Sequence, residues 1–593
     1  MVSLTRLLSR VSVGVLGLAS LSSAGVLRSR ITEGVKVDYK EPGICETTPG
    51  VKSYSGYLTL PSTRLQPYEQ KLFFWFFEAR HSPETAPLSL WLQGGPGAAS
   101  IDQAFTGNGP CTVPEASGNA TVLNPWSWNN NANLLYIDQP VQTGFSYDVA
   151  TPGVMDTITG QIYPAESWEG PLNYTAYNDQ RLVRVLVSRL HNAAILATRD
   201  LTTISCSGGH YAPAIAKLLQ SRAHSLQGGA LPVTVDTVGV ISGFLDFQIQ
   251  LGYFSQFAVN NTYGIQAYDL EVAEAVAYNW SSPGGCKEQV EHCRALTPHG
   301  YRDQYGTNDT VTEACGSASI WCWNNVYAAY DALSGLLCSA TLLTLAISFR
   351  RRSRPPYVYG FLSQKWVLKA LGAEVSYTLN SNPTANGKSK ILLRRFLLSG
   401  DFAFGGFKED LGSLLDDGVK VALIHGDRDF RCNWIGGEAV SLAIDYDDKD
   451  EFAAAGYAPI HTNESYVGGF VRQYGGFSFS RVFQASHGRT DSGVVAYNQP
   501  ETAYQIFMRT ILGKDVSEGR VPINESFDYA TEGPASVFDV KNEPPAQSAS
   551  ECYALSNPLR LTCTDVQIAA LLNGTAVVEN HIVVSPAGRP ASA

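Results

Sequence analysis

The stretch LTTISCSGGHYAP, residues 201–213, decides the fold. It has the outline of a nucleophile elbow, in which a strand ends in a tight turn that lifts one nucleophilic side chain above a sheet and a helix follows at once. Gly208 and Gly209 supply the small residues such a turn needs on its helix side, and the AIAKLL run from Ala214 has the apolar spacing of a helix. Counting back from the glycine pair puts Cys206 at the tip, with Ile204 where the first small residue of an elbow usually stands. Gly-x-Ser-x-Gly is absent in every register of this stretch, so the outline is intact and its most reactive position is altered.

Outward from the elbow, residues 71–77, 88–92 and 134–137 are short apolar runs of the kind a sheet buried on both faces requires. Residues 179–197 follow with Leu182, Val185, Leu186 and Leu190 at helical spacing, and residues 237–244 and 420–425 read as further strands. Alternation of strand and helix predicts an α/β fold with a mostly parallel sheet and helices on both faces. Between residues 246 and 355 the pattern turns aromatic, cysteine-rich and glycine-broken, which predicts a lid subdomain inserted over the carboxyl edge of the sheet. The expected plan is a signal peptide over 1–24, a short pro-segment or extension over 25–43, core over 44–245, lid over 246–355, core again over 356–530, and a tail over 531–593. That tail reads as a linker around PPAQS followed by a small cysteine-closed appendage.

At 593 residues the chain suits one large domain with insertions, or two domains, and a 44% hydrophobic content supplies a large core. A net charge of −11, with no basic stripe interleaved with aromatics, argues against a nucleic-acid partner. Arg6 and Arg10 precede an apolar run over 11–21, and Ser22, Ser23 and Ala24 offer a cleavage site. The run is short for a bilayer, so it reads as a signal peptide and predicts a secreted or vacuolar protein on the secretory route. Sequons at Asn119, Asn173, Asn260, Asn279, Asn308, Asn463, Asn524 and Asn573 are compatible with glycosylation there. A second apolar run, 333–349, is followed by Arg350, Arg351, Arg352 and Arg354. A membrane span at that point would put the two halves of the sheet on opposite sides of a bilayer, and the span reading is set aside.

Eleven cysteines leave at least one unpaired in a secreted chain. Cys286 with Cys293, Cys315 with Cys322, and Cys552 with Cys563 are spaced for short-loop disulfides; Cys45, Cys111 and Cys338 are open candidates, and Cys206 and Cys432 are expected to stay thiols. No CxxC pair is present, so neither a zinc site nor any other metal or cofactor is expected.

WLQGGPG from Trp91 closes a strand, and its glycines allow backbone N–H groups to approach a reacting carbonyl as an oxyanion hole demands. Downstream, VALIHGDRDFRCNW over 421–434 is a strand emptying into a loop with Asp427 and Asp429, either of which suits the acid that orients an imidazole. His487 then follows an apolar strand over 477–483. Nucleophile, acid, base is the chain order of the α/β-hydrolases.

Taken together with ICETTPGVKSYSGYL from Ile44, Asn-Gly-Pro from Asn108, NPWSWN from Asn124, YIDQPVQTGFSY from Tyr136, GGHYAP from Gly208 and QPETAY from Gln499, these motifs make the chain resemble the secreted serine carboxypeptidases, in particular their fungal subgroup. The resemblance runs from about Cys45 to about Leu512. It implies an α/β-hydrolase acting on peptide or protein C-termini, one residue at a time through an acyl-enzyme. It also implies Cys206 at the nucleophile position, His487 as general base and acid, and Asp429, three residues before Cys432, as the acid that fixes the imidazole tautomer. The backbone N–H groups of Gly95 and Ser207 would form the oxyanion hole, with Gln93 and Gly94 at the substrate carboxylate.

Departures from the family pattern concentrate at the same places. Ser205, Cys206 and Ser207 stand where the family has Glu-Ser-Tyr, and the residues that grip the substrate carboxylate, an asparagine and two glutamates sharing a proton, are here Gln93, Ser205 and Gly107. Segments 199–206, 333–354 and 488–493 each interrupt family-like sequence cleanly, as translated non-coding sequence would. Two function classes follow: a carboxypeptidase working through Cys206, or an impaired, peptide-binding relative. Scissile-bond preference and oligomeric state are not encoded in any motif.

Overall fold

The structure, a computed structural model, describes residues 24–29, 33–62, 68–155, 158, 162–164, 171–172, 204–205, 208–223, 234–296, 308–328, 357–379, 396–486, 495–523, 528–543, 551–556 and 559–587. Its centre is a sheet built from β1 (Gly25–Arg28), β2 (Lys36–Lys40), β3 (Ser53–Leu60), β4 (Gln70–Phe77), β5 (Leu88–Gln93), β6 (Asn133–Ile137), β7 (Ile204–Ser205), β8 (Thr237–Ile241), β9 (Lys420–Gly426), β10 (Tyr457–His461), β11 (Val467–Tyr474) and β12 (Phe477–Val482). The spatial order is β1-β2-β3-β4-β6-β5-β7-β8-β9-β12-β11-β10. Strands β6, β5, β7, β8, β9 and β12 run parallel, while both flanks, β1 to β4 and β11 with β10, are antiparallel. The sheet is thus parallel where the site residues leave it and antiparallel away from them.

Alternation along each central strand feeds two cores. In β9, Val421 and Leu423 enter the core on one face and Ala422 and Ile424 the core on the other; in β5, Leu90 and Leu92 take the first face and Trp91 the second. Successive side chains of a strand point to opposite faces, so a run without polar interruptions is what a sheet covered on both sides needs. Two expected strands stop early. The run over 237–244 ends at Ile241 because Ser242 turns to a left-handed φ of 49°, and the run over 477–483 ends at Val482, before Gln484 with φ 55°. Neither conformation extends a ladder.

The helix after the elbow, α1 (Gly208–Ala223), begins ahead of the run from Ala214 and buries Tyr211, Ile215, Ala216 and Leu219 in the first core. The expected helix over 179–197 lies outside the described residues.

Two of the short-loop disulfides expected from spacing are replaced by crossed ones. Cys286 and Cys293 lie on one helix, α2 (Cys286–Ala295), and Cys315 and Cys322 on another, α3 (Asp309–Cys322). Seven residues of helix separate the two cysteines by roughly 10 Å along the axis, beyond the reach of a disulfide. The helices instead pack side by side and pair Cys286 with Cys322 and Cys293 with Cys315, at Cα separations of 4.9 and 4.8 Å. Cys45 pairs with Cys111 and Cys552 with Cys563, and Cys432 is buried and stays a thiol. Cys206 and Cys338 lie outside the described residues.

Residues 551–587 form a separate small unit. Strands Cys552–Tyr553, Ile582–Ser585 and Val577–Glu579 make a sheet in that order, and helix Asp565–Leu572, started by a capping box between Thr564 and Gln567, covers it. No helix among the described residues is long and apolar enough to cross a membrane, and residues 333–349 lie outside them.

Candidate active site

The carboxyl ends of neighbouring parallel strands carry the candidate residues. Ser205, the last residue of β7, pairs with Gln93 on one side and Ile241 on the other, and α1 starts at Gly208. A strand therefore ends at residue 205 and a helix begins at residue 208; Cys206 and Ser207 lie outside the described residues. What lets the start of the helix approach β8 is Gly209. A Cβ there would sit 1.9 Å from the carbonyl oxygen of Phe244, so the helix can approach the end of β8 only without a side chain. Gly243 is equally tight, its Cβ position being 2.3 Å from Cγ1 of Val240.

The glycine turn after β5 is held from several directions. The Gln93 N–H donates to Ser100 Oγ, 2.9 Å, and the Gln93 carbonyl accepts from Gln139 Nε2, 2.9 Å. Within the side chain, Oε1 of Gln93 accepts the Trp91 indole N–H, 3.1 Å, which turns the Nε2 end outward as the donor. Gly97 has φ 84°, a conformation glycine adopts without strain, and a Cβ on Gly95 would lie 2.9 Å from the Ala98 nitrogen. Behind the turn is a carboxylate that sequence reasoning missed: Asp138, fully buried, accepts the Ile101 N–H with Oδ1 and the Phe145 N–H with Oδ2, 3.0 Å each. Asp102, also buried, accepts the Thr106 hydroxyl. Burial pushes both carboxyls up to about 7. The hydroxyl of Tyr377, buried and without a hydrogen-bond partner among the described residues, shares their field.

The two aspartates of the downstream loop have different surroundings. Asp427 accepts from the Tyr263 hydroxyl, 2.6 Å, and the Gln484 N–H, 2.8 Å, on Oδ1; on Oδ2 it takes Asn542 Nδ2 and the Arg481 guanidinium, 3.3 Å. Burial raises its carboxyl against the pull of Arg481, which is itself fully buried. Asp427 is thus consumed by a structural network. Asp429, equally buried, accepts the Cys432 N–H on Oδ1, 2.9 Å, at the point where the loop turns into helix α4 (Trp434–Leu442).

The approach to His487 is built against this loop. Arg428 N–H donates to the Ala485 carbonyl and Asp427 N–H to that of Val482, 2.9 Å each. A Cβ on Gly426 would lie 2.5 Å from the Ala485 oxygen, so the two segments touch through backbone. On the far side Ser486, buried, donates through both N–H and Oγ to Asn498 Oδ1, 2.9 and 2.8 Å. His487 is the next residue and lies outside the described residues. The only sequence signal for Asn498 was its place in front of the QPETAY motif.

Gly107 completes the surroundings. It ends the short helix Gln103–Thr106, its carbonyl is held by Asn124 Nδ2, 2.9 Å, and a Cβ on it would lie 2.9 Å from the Cβ of Ala496. A longer acid at this position therefore has no room. Missed as well by sequence reasoning was His210, whose Nδ1 meets Asp401 Oδ2 at 2.6 Å in the first turn of α1. No group of three or more His, Cys, Asp or Glu among the described residues is arranged to hold a metal ion.

A family model described as serine carboxypeptidase matches residues 42–513. Carboxypeptidase S1 homolog A of Arthroderma otae is 37% identical over 605 residues, covering 95% of this chain and 89% of that protein. Carboxypeptidase S1 of Penicillium janthinellum is 32% identical, with 81% of this chain and 99% of that protein covered. Among solved structures, Kex1(delta)p, a prohormone-processing carboxypeptidase from Saccharomyces cerevisiae, shares the fold at TM-score 0.50 and 18% identity, covering 78% of this chain and 91% of that one. With its parallel central strands, a strand ending at residue 205 followed by a helix from residue 208, and a family match over most of its length, the chain belongs to the serine carboxypeptidase family and is a peptidase-type hydrolase of α/β-hydrolase fold.

Proposed function

We propose that this chain removes C-terminal residues from peptides through a thioacyl-enzyme on Cys206, with His487 as base and acid and Asp429 as the orienting carboxylate. The supporting observation is the backbone junction between residues 427–429 and 482–486, which holds the segment ending at Ser486 against the loop that carries Asp429. The four structural partners of Asp427 favour Asp429 for the orienting role in this reading. A thiol is a strong nucleophile once an imidazole takes its proton. Sulfur is larger than oxygen, however, and a hole spaced for an oxyanion on a serine ester is misplaced by a fraction of an ångström, which costs on the order of 100-fold. Gly95 and Ser207 N–H groups form that hole in this reading, and the Nε2 end of Gln93, with the Gly94 backbone beside it, faces the substrate carboxylate.

A second reading, a peptide-binding relative without turnover, is favoured by one observation: Gly107 is closed against Ala496, so the acid of the carboxylate grip is missing and cannot be accommodated. Release of the C-terminal residue from an N-blocked dipeptide across pH 4 to 8, by the parent and by Cys206→Ser, separates the two. Turnover abolished by a thiol reagent supports the first; silence in both proteins with retained dipeptide binding supports the second. Turnover in Cys206→Ser alone would mean that the rest of the site is intact and the parent lacks only its nucleophile.

The signal peptide over 1–24 and four disulfides support synthesis through the secretory route, with residues 246–355 as the lid. Glycosylation is proposed at the exposed Asn119, Asn260, Asn308, Asn463 and Asn573. Asn279 is half-buried and donates Nδ2 to the Asn325 carbonyl, 3.1 Å. Asn173 and Asn524, like segments 333–354 and 488–493, lie outside the described residues.

A further inference from the structure

The small unit at residues 551–587 is docked, and the place where it docks leads to the substrate-carboxylate end of the site. Tyr553, fully buried, meets Tyr357 edge-on at 5.0 Å between ring centres and forms a cluster with Tyr357 and Ala116. The Tyr357 hydroxyl donates to Glu551 Oε2, 2.8 Å. The Tyr553 hydroxyl lies so close to Gly360 that a Cβ there would be 1.8 Å from it.

Gly360 belongs to helix Val358–Leu362, and its neighbour Phe361 packs against Phe105 at 5.4 Å between ring centres. Phe105 lies on the short helix Gln103–Thr106 that ends at Gly107. The same helix Val358–Leu362 braces Gly118, whose Cβ position is 3.0 Å from the Phe361 nitrogen, and the Gln364 amide donates to the Gly118 carbonyl. Two routes therefore run from Tyr553 to the wall around Gly107, one through Phe361 and one through residues 111–118.

We infer that residues 551–587 are a specificity element, a buttress that seats helix Val358–Leu362 against Phe105 and so fixes the pocket for the substrate's C-terminal residue. This rests on the carboxypeptidase reading above. With the buttress seated, the wall at Phe105 is rigid and discriminates by the size of that residue; unseated, the wall yields and discrimination falls.

Gly360→Ala in the full chain is the test from the body side. Alanine is the better helix former, so the helix itself is not weakened and the change acts through the clash with Tyr553. Removing the clashing oxygen should undo it: in Gly360→Ala with Tyr553→Phe the nearest remaining neighbours of the new methyl are at 3.0 Å and beyond. Tyr553→Ala attacks the same contact from the other side.

Gly360→Ala and Tyr553→Ala are expected to raise hydrogen exchange at residues 103–106 and 358–362 at least tenfold. They should also narrow several-fold the ratio of KM values, or of Kd values where turnover is absent, between N-blocked dipeptides ending in a small and in a large residue, with kcat within twofold. The double variant should restore both. Unchanged protection at those residues overturns the buttress even in an active enzyme, as does a fall in kcat at constant KM or a double variant no better than Gly360→Ala. Dipeptides neither bound nor cleaved by the parent would sink the carboxypeptidase reading and the specificity claim with it, whatever the exchange data.

Discussion

Replacing Asp102 by asparagine should remove part of the pH dependence of stability that the wild-type chain carries. Asp102 and Asp138 are both buried and pushed up to about 7. Their partners decide which holds the proton. Asp138 accepts backbone N–H groups of Ser100, Ile101 and Phe145, donors that favour a charged carboxylate, whereas Asp102 accepts the hydroxyl of Thr106. The first negative charge therefore settles on Asp138 and Asp102 keeps its proton, a second charge being opposed by burial and by its neighbour.

A carboxyl raised in the folded state binds its proton more tightly there than in the unfolded chain, so stability falls as pH climbs from the ordinary aspartate value towards 7 and levels off above it. The rise from 3.8 to about 7 corresponds to about 4 kcal/mol as an upper bound. Against a typical total of 5–15 kcal/mol that is a large share. Asparagine keeps an acceptor for Thr106 and cannot ionise. Hydrogen exchange of the Ile101 and Phe145 amides, corrected for intrinsic rate, and apparent thermal midpoints at pH 4.5 and 8 should show a steep loss in the wild type and a shallower one in Asp102→Asn, where only Asp138 still titrates. Parallel profiles for the two proteins would refute the assignment of the proton to Asp102.

If Cys206 turns substrate over, the rate is expected to be abolished by thiol reagents and to lack a sharp maximum below pH 5, because Gly107 and Ser205 replace the proton-sharing acids; a peak at pH 4 in the dipeptide assay would contradict this. Asp427→Asn and Asp429→Asn should separate stability from activity. The former leaves buried Arg481 poorly compensated and should cost about 3 kcal/mol, seen as a lowered thermal midpoint. The latter should leave the midpoint nearly unchanged and reduce kcat by roughly 10⁴-fold. Peptide mapping of the unreduced protein should recover Cys286 linked to Cys322 and Cys293 linked to Cys315, and opening the latter loop should cost about 3 kcal/mol. Gly209→Ala should abolish folding or soluble expression, because no side-chain motion relieves a 1.9 Å approach to a backbone oxygen.

The elements most legible in the sequence were those whose signal is local. Mostly apolar runs placed β5, β8 and β9, alternating apolar residues placed β12, and the run from Ala214 placed the body of the elbow helix, though not its start at Gly208. Strand ends were less legible, because Ser242 and Gln484 adopt left-handed φ without being glycines. Disulfide spacing misled because counting residues ignores the helix: seven residues are close in sequence and two turns apart in space. The resemblance pointed to Asp429 by its place three residues before Cys432, but the physical difference between the two aspartates was not legible. It depends on Tyr263, Arg481 and Asn542, which reach Asp427 from three other segments. Nothing in the sequence links Asp102 with Asp138; the fold buries both.

The junction between residues 427–429 and 482–486 has a consequence for how such a chain tolerates change. The loop with Asp429 and the strand leading to His487 are laced to each other by backbone hydrogen bonds, while the elbow is seated separately, by Gly209 on Phe244 and by His210 on Asp401. The segments that carry the proposed acid and lead to the proposed base are thus tied together, and the helix after position 206 is anchored apart from them. In the proposed mechanism a substitution at position 206 leaves that first pair of segments tied as before, so the attacking atom can be exchanged without disturbing the segments that lead to the proton acceptor.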